Sequence, residues 1–256
     1  MVSKKNMKIL LTNDDGIMAE GIYELAKELE KNHEVIIVAP ETERSAQSHA
    51  ITLFQPLIIR ETKLKGLKSK AYSVSGTPAD CVRAGLDQIV CEDVDIVLSG
   101  INRGLNAGMD ILYSGTVSAA IEANIYGKPS MAISAELMDG NCNYGIAAKY
   151  ASEILEKVKK EHLSSSILLN INTPYVFNED PQGIKVCKIG EVIHDYYIME
   201  LDDNGEKTVR TNGRKEIEFE KDTDRYFLSK GYITVTPLNY DLTNFELLDR
   251  VKRWIL

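Results

Sequence analysis

Short apolar runs and amphipathic stretches alternate along most of this chain, and turn-forming residues punctuate each change. Residues 8–12 break abruptly at Asn13-Asp14-Asp15-Gly16, which predicts a strand running into a tight loop. Ile22, Leu25, Ala26 and Leu29 then recur at helical spacing with Glu24, Lys27, Glu28 and Lys31 between them, so an amphipathic helix follows. Residues 34–39 form a second apolar run, stopped by Pro40. Two strands joined by a helix make a parallel βαβ unit, because parallel strands need a crossover. Residues 51–59 alternate less cleanly around Pro56 and predict an extended or edge segment, before a lysine-rich turn over 63–70 and a short strand over 71–74. Pro78 favours a helix start, and the helix is expected to run to about Val90.

Residues 95–98 read as a buried parallel strand that stops at Ser99-Gly100. Behind it Gly100, Gly104, Gly108 and Gly115 are interleaved with Asn102, Asn106 and Asp110, and no hydrophobic period resumes before Val117. A loop that long inside a compact domain is usually functional. It ends at Ser114-Gly115-Thr116, where the free N–H groups of a helix start lie beside two hydroxyls, an anion site in outline. A plain glycine-rich connection capped by Thr116 gives the same pattern. A strand over 130–134, a long helix from Tyr144 to Glu161 and a strand over 167–171 continue the alternation.

After about Gly183 the pattern changes to short β-rich runs with hairpin-type signals at 202–205 and 211–213, and a solvated charged stretch over 213–224. A strand over 232–236 and a final helix with Leu247, Leu248, Val251, Trp254 and Ile255 on one face close the chain. The expectation is an α/β core over residues 1–183 with a β-rich appendage over 184–256 that does not form an independent domain.

With 256 residues and 44% hydrophobic content the chain can bury a sizeable core. Its formal charge of −8 argues against a nucleic-acid duplex as the main partner, since phosphate backbones want a basic face. Cys81, Cys91, Cys142 and Cys187 are scattered and form no CxxC pair, so they read as reduced thiols. The opening MVSKKNM lacks an apolar leader, and no run approaches bilayer length, so a soluble cytoplasmic protein is expected.

The candidate chemistry collects at strand ends. Asp14 and Asp15 follow the first strand, Ser45 lies in the loop after the second, and Asn102 follows the strand over 95–98. In open α/β sheets ligands bind at the carboxyl ends of strands. Two carboxylates, a hydroxyl and an amide carbonyl offer an all-oxygen shell that suits Mg²⁺ or Mn²⁺. Singly, each of these residues is ordinary turn or cap chemistry; their shared place in the topology makes the case.

Five stretches carry a family resemblance: NDDG at 13–16, AP followed by RS at 44–45, SGTPADCV at 75–82, SGINRGLNAGMDILYSGTVSAAIEA at 99–123 and TPLNYDLT at 236–243. Together they resemble the SurE family of nucleotidases, strongly from Met7 to about Ser134 and again over 231–243. The resemblance implies a Rossmann-like three-layer sheet with a C-terminal hairpin and a swapped helix. It implies one divalent metal ion per subunit, Mg²⁺ or Mn²⁺, held by Asp14, Asp15, Ser45 and Asn102, with Ser114-Gly115-Thr116 as the phosphate-contacting turn. The implied activity is hydrolysis of nucleoside 5′- and 3′-monophosphates, in a homodimer that exchanges C-terminal segments and can build a tetramer.

Within that frame Asp14 is the candidate for handling the water proton and Asp15 a pure ligand. Asn102 and Asp110 join it as candidate catalytic groups, Asp110 by protonating the leaving oxygen or orienting a water, although it also suits a turn or cap. Asn106 joins the 114–116 turn as a candidate substrate contact. Arg44 and Arg103 border the site and are left outside it, and His49 is a single loop histidine. Many relatives have a histidine just before the DLT segment, where this chain has Asn239, so no histidine acid acts there.

Other enzymes fit less well. A dinucleotide oxidoreductase wants GxGxxG in the first turn, where NDDG stands, and a haloacid-dehalogenase phosphatase wants DxD. The non-enzymatic alternative is a metal-dependent nucleotide-binding sensor with negligible turnover.

Overall fold

The computed structural model of the chain describes residues 6–90, 92–160, 167–177 and 179–256. Residues 1–5, Cys91 and Glu161, on which readings above also fall, lie outside the described residues. In chain order the elements are β1 (Lys8–Thr12), α1 (Glu20–Leu29), β2 (Glu34–Pro40), β3 (Ile59–Thr62), β4 (Lys70–Val74), α2 (Pro78–Ala84), β5 (Ile96–Arg103), α3 (Gly115–Ile125), β6 (Ser130–Ala135) and α4 (Tyr144–Lys160). They continue with β7 (Leu168–Thr173), β8 (Ile184–Val186), β9 (Asp195–Leu201), β10 (Lys207–Arg214), α5 (Asp224–Leu228), β11 (Ile233–Pro237) and α6 (Phe245–Ile255).

Nine strands form one sheet in the order β3-β4-β2-β1-β5-β6-β7-β11-β8, parallel from β4 through β7, with β3 and β11 running antiparallel to their inner neighbours. Alternation along β1 divides the core. Ile9 and Leu11 pack with Leu25 and Leu29 of α1 and Leu155 of α4 on one face, while Leu10 packs with Cys81 and Val82 of α2 and Ala123 of α3 on the other. The fold is therefore α/β and Rossmann-like, with helices on both faces of a mostly parallel sheet. Each fully buried Ile or Leu contributes about 1.5–3 kcal/mol to this arrangement, so the sheet is a rigid frame for the loops at its ends.

Four elements differ from the sequence expectation. β5 does not stop at Ser99-Gly100 but runs on to Arg103, with its pairing to β6 shifted between Ser99 and Asn102. Glycine is required in that bulge: Gly100 has φ 139°, and a Cβ there would stand 2.2 Å from the Ile133 carbonyl oxygen. The helix expected to reach Val90 is α-helical only to Ala84 and widens to a π-helical turn over Gly85–Ile89, where Gly85 lies directly against Leu10. The signal at 202–205 is the hairpin turn between β9 and β10, whereas the one at 211–213 is a register shift inside β10. The charged stretch over 213–224 is not wholly solvated, because it ends in α5 and Asp224 is fully buried.

From the C-terminal part, β8 and β11 complete the main sheet. The β9–β10 hairpin makes its own two-stranded sheet, and α6 buries none of its residues.

Candidate metal and phosphate site

β1 and β5 are adjacent and parallel, with Thr12 opposite Ser99, so the segments after them emerge side by side. Asn13 closes the first turn by donating from Nδ2 to the Gly16 carbonyl (2.9 Å) and accepting the Gly16 N–H (3.2 Å). That turn holds Asp14 and Asp15. Asp14 is 4% exposed, and its carboxylate accepts the Thr116 hydroxyl on Oδ1 and the Thr116 N–H on Oδ2 (3.2 Å). Gly115 is a close approach rather than a flexible hinge: a Cβ there would come 2.9 Å from the Asp14 Cβ.

Burial pushes the Asp14 carboxyl up to about 6; the Thr116 hydroxyl opposes that rise and the Asp15 charge adds to it. Asp15 accepts the Arg103 N–H at 2.9 Å, and burial also raises it, the Arg103 contact opposing. No lysine or arginine among the described residues forms an ion pair with either carboxylate. Two half-desolvated carboxylates side by side favour a cation.

Asn102 sits just past the β5 bulge and donates from Nδ2 to the Gly104 carbonyl at 2.8 Å, which commits its donor end and leaves its carbonyl oxygen as the end a cation can use. Ser45 is exposed, and its hydroxyl donates to Glu43 at 2.7 Å. Its loop is nonetheless tied to the site, because the neighbouring Arg44 N–H donates to the Asp14 carbonyl at 2.7 Å. The donor set is thus two carboxylates, an amide and a nearby hydroxyl. Among the described residues no group of three or more His, Cys, Asp or Glu could hold a metal. A hard, oxygen-seeking cation fits these residues, and a thiophilic one does not.

The helix start behind the glycine loop is less open than the sequence suggests. The Ser114 hydroxyl caps α3 by accepting the Val117 N–H at 3.0 Å, and both Thr116 donors go to Asp14. The positive end of α3 therefore addresses Asp14 first. Buried Asn106 staples the loop to the neighbouring strand ends: its N–H donates to Asn172 Oδ1 (2.8 Å), its Nδ2 to Ser134 (2.9 Å), and its carbonyl accepts Asn170 and Asn172 (2.8 and 2.9 Å). Asp110 stands apart from the carboxylate pair, in ion pairs with Arg214 and with Arg225 (2.9 Å).

Several contributors were missed or set aside in the sequence. Arg103 belongs to the site through its backbone N–H, which a sequence cannot advertise. Buried Asp224 accepts the Gly108 N–H at 2.8 Å, a contact between positions 116 residues apart for which no local signal exists. His49 has a partner after all, with Nε2 2.6 Å from the buried Glu122 carboxylate.

Comparison with known proteins identifies the family. The family model described as "Survival protein SurE" matches residues 9–195. A Clostridium botulinum protein named 5'-nucleotidase SurE is 50% identical over 252 residues, covering 98% of this chain and all of that one. A Clostridium tetani protein of the same name is 47% identical over 248 residues, covering 97% of this chain and all of its own. The crystal structure of the SurE protein from Aquifex aeolicus superposes with a TM-score of 0.86 at 36% identity, covering 96% of this chain and 99% of that one. A match of this extent in both sequence and fold, on a chain whose NDDG turn and glycine loop meet at Asp14 and Thr116, means that the chain belongs to the SurE family.

Proposed function

We propose that the protein is a divalent-metal-dependent phosphomonoesterase that releases phosphate from nucleoside 5′-monophosphates and also from 3′-monophosphates. The observation that carries this reading is the adjacent Asp14 and Asp15 carboxylates, in no ion pair among the described residues, with buried Asp14 bonded to the first turn of α3, in a chain half identical to proteins named 5'-nucleotidase. Asp14, Asp15, Asn102 and, after rotation of its side chain, Ser45 would hold one Mg²⁺ or Mn²⁺. When bound, that ion supplies charge neutralisation at a phosphoryl oxygen and a more acidic water.

The chain's own residues do the rest. Thr116 fixes the Asp14 carboxylate so that it accepts the proton of an attacking water, while Asp15 acts as ligand. Ser114, Gly115 and Thr116 bring the positive end of α3 to where charge grows on the phosphoryl oxygens. Asn106 keeps the glycine loop in register with the strand ends as a substrate contact. For Asp110, two arginine partners favour bracing the loop over protonating the leaving oxygen.

Phosphate release from AMP, GMP, CMP and UMP, in 5′ and 3′ forms, with added Mn²⁺ or Mg²⁺, tests the reading. Release is expected with metal and absent in excess EDTA; undiminished hydrolysis in EDTA refutes it, and binding without turnover leaves the sensor instead.

α6 carries Leu247, Leu248, Val251, Trp254 and Ile255 with none buried, a face that needs a partner. A homodimer exchanging C-terminal segments supplies it, and hairpin contacts extend the dimer to a tetramer; light scattering that finds an active monomer at micromolar concentration overturns this. No helix among the described residues is long and apolar enough to cross a membrane, and we place the protein in the cytoplasm.

A further inference from the structure

Beside the carboxylate pair, at the same end of the sheet, the loops after β6 and β7 enclose a pocket of about 430 Å³ lined by Met138, Asp139, Asn141, Tyr175 and Phe177. Its backbone is braced. Glu136 donates its N–H to the Thr173 carbonyl (2.9 Å) and accepts the Tyr175 N–H on its carboxylate (2.8 Å), and Asn143 Nδ2 donates to the Val176 carbonyl (2.8 Å). Met138 and Asn141 exchange two backbone hydrogen bonds of 2.9 Å across a tight turn. Yet Phe177 is 77% exposed and Met138 is 44% exposed. The aromatic ring and the thioether thus share the wall of one pocket on a hydrogen-bonded loop while both stay in contact with water, an apolar surface a ligand can use.

Position says to what. β6 and β7 are the first and second strands beyond β5, so their ends stand roughly 5 and 10 Å to the side of Asn102, at about 4.8 Å per strand. Arg103 spans the interval, with its N–H on the Asp15 carboxylate (2.9 Å) and its guanidinium 3.4 Å from the Gly140 carbonyl. We infer that this pocket is the subsite for the nucleobase of the monophosphate whose phosphate lies at Asp14 and the α3 start, an inference that rests on the nucleotidase reading. The base stacks on Phe177 with Tyr175 and the Met138 sulfur at its edges, and the Asn141 side-chain oxygen and the Asp139 carboxylate provide a polar rim, Asn141 Nδ2 already donating to the Asp139 carbonyl at 3.1 Å. Every base has a π-face, so such a platform accepts purines and pyrimidines alike and favours nucleotides over plain sugar phosphates. The other cleft near the glycine loop, lined by His49, Leu238 and Leu242, is the weaker choice because three of its polar atoms are already paired: His49 Nε2 with Glu122, the Ser48 hydroxyl with the Leu112 carbonyl, and Asn239 Oδ1 with the Asp241 N–H.

The test compares AMP and UMP with ribose 5-phosphate, which keeps sugar and phosphate but lacks a base, in wild type, Phe177→Ala, Phe177→Tyr and Leu242→Ala. Phe177→Ala is expected to raise KM for both nucleotides roughly 10-fold, the loss typical of one base–aromatic stack. KM for ribose 5-phosphate, kcat and Mn²⁺ affinity stay unchanged, and Phe177→Tyr restores KM. Equal effects on nucleotides and ribose 5-phosphate, or no effect on either, overturn the subsite. Adenosine binding by NMR titration reads the pocket without turnover. If wild type hydrolyses no nucleotide but binds adenosine and Phe177→Ala weakens that binding, the subsite stands and the nucleotidase reading falls. If nucleotides are hydrolysed and only Leu242→Ala weakens adenosine, or adenosine does not bind, the subsite falls.

Discussion

Thr116→Val is the most informative single change in this protein. Thr116 is fully buried, and valine keeps its shape and its backbone N–H while deleting the hydroxyl that donates to Asp14 Oδ1. A hydrogen bond to a charged group is worth about 1.5–3 kcal/mol, and a buried acceptor left without its donor costs its desolvation. Since 1.4 kcal/mol is tenfold, the ionised, correctly aimed Asp14 becomes roughly 10- to 100-fold less favourable.

The sequence alone suggests that Thr116 serves phosphate without touching the metal site. The structure changes the expectation, because the hydroxyl lies on a proposed ligand: kcat and Mn²⁺ affinity should fall together, with the product of the two losses near that 10- to 100-fold range. Thr116→Ser, which keeps the hydroxyl, should stay within about threefold of wild type, a loss well under one such hydrogen bond. Calorimetric Mn²⁺ titration alongside phosphate-release kinetics measures both. Wild-type kcat and wild-type Mn²⁺ binding in Thr116→Val, with the fold intact by circular dichroism, would show that this hydrogen bond does not organise the site.

Other perturbations separate the remaining roles. Asp15→Asn should abolish metal-dependent turnover and weaken Mn²⁺ binding while the apo protein holds or gains about 1 kcal/mol, because neighbouring carboxylate charges repel and the asparagine oxygen can still accept the Arg103 N–H; a drop in denaturant midpoint contradicts this. Asp110→Asn strips the anion from Arg225, whose side chain is 11% exposed, and should cost about 1–3 kcal/mol in chemical denaturation, with faster hydrogen exchange over 108–114; unchanged exchange there means Asp110 does not brace the loop. Burial holds the His33 imidazole below its usual value, against the opposing Glu156 charge and with help from Lys159. The unfolded chain therefore takes up this proton first, so His33 contributes stability that is full above about pH 6.5 and is lost as pH falls through the lower folded value; denaturant midpoints at pH 7.5 and 5.5 should converge in His33→Gln relative to wild type, and an identical pH dependence in both excludes the assignment.

The fold was legible in the sequence wherever a local period had to match a burial pattern. Ile9, Leu10 and Leu11 announce a strand covered on both faces, and Ile22, Leu25 and Leu29 announce a helix with one apolar side, because side-chain direction follows from backbone repeat alone. The same locality explains why Asp14, Asp15, Asn102 and the 114–116 turn could be assigned to one end of one sheet: parallel strands point the same way, so their following loops gather together. Tertiary structure alone decided which groups face each other. That Thr116 binds Asp14, that Asp224 holds Gly108 and that Asp110 meets Arg225 are contacts across 102, 116 and 115 residues. No periodicity encodes such pairs, since they depend on where crossovers return the chain. The bulge that carries β5 past Gly100 and the burial of Asp224 inside a charged stretch escaped for the same reason, because each is set by a neighbouring strand or loop and not by the residues beside it in sequence.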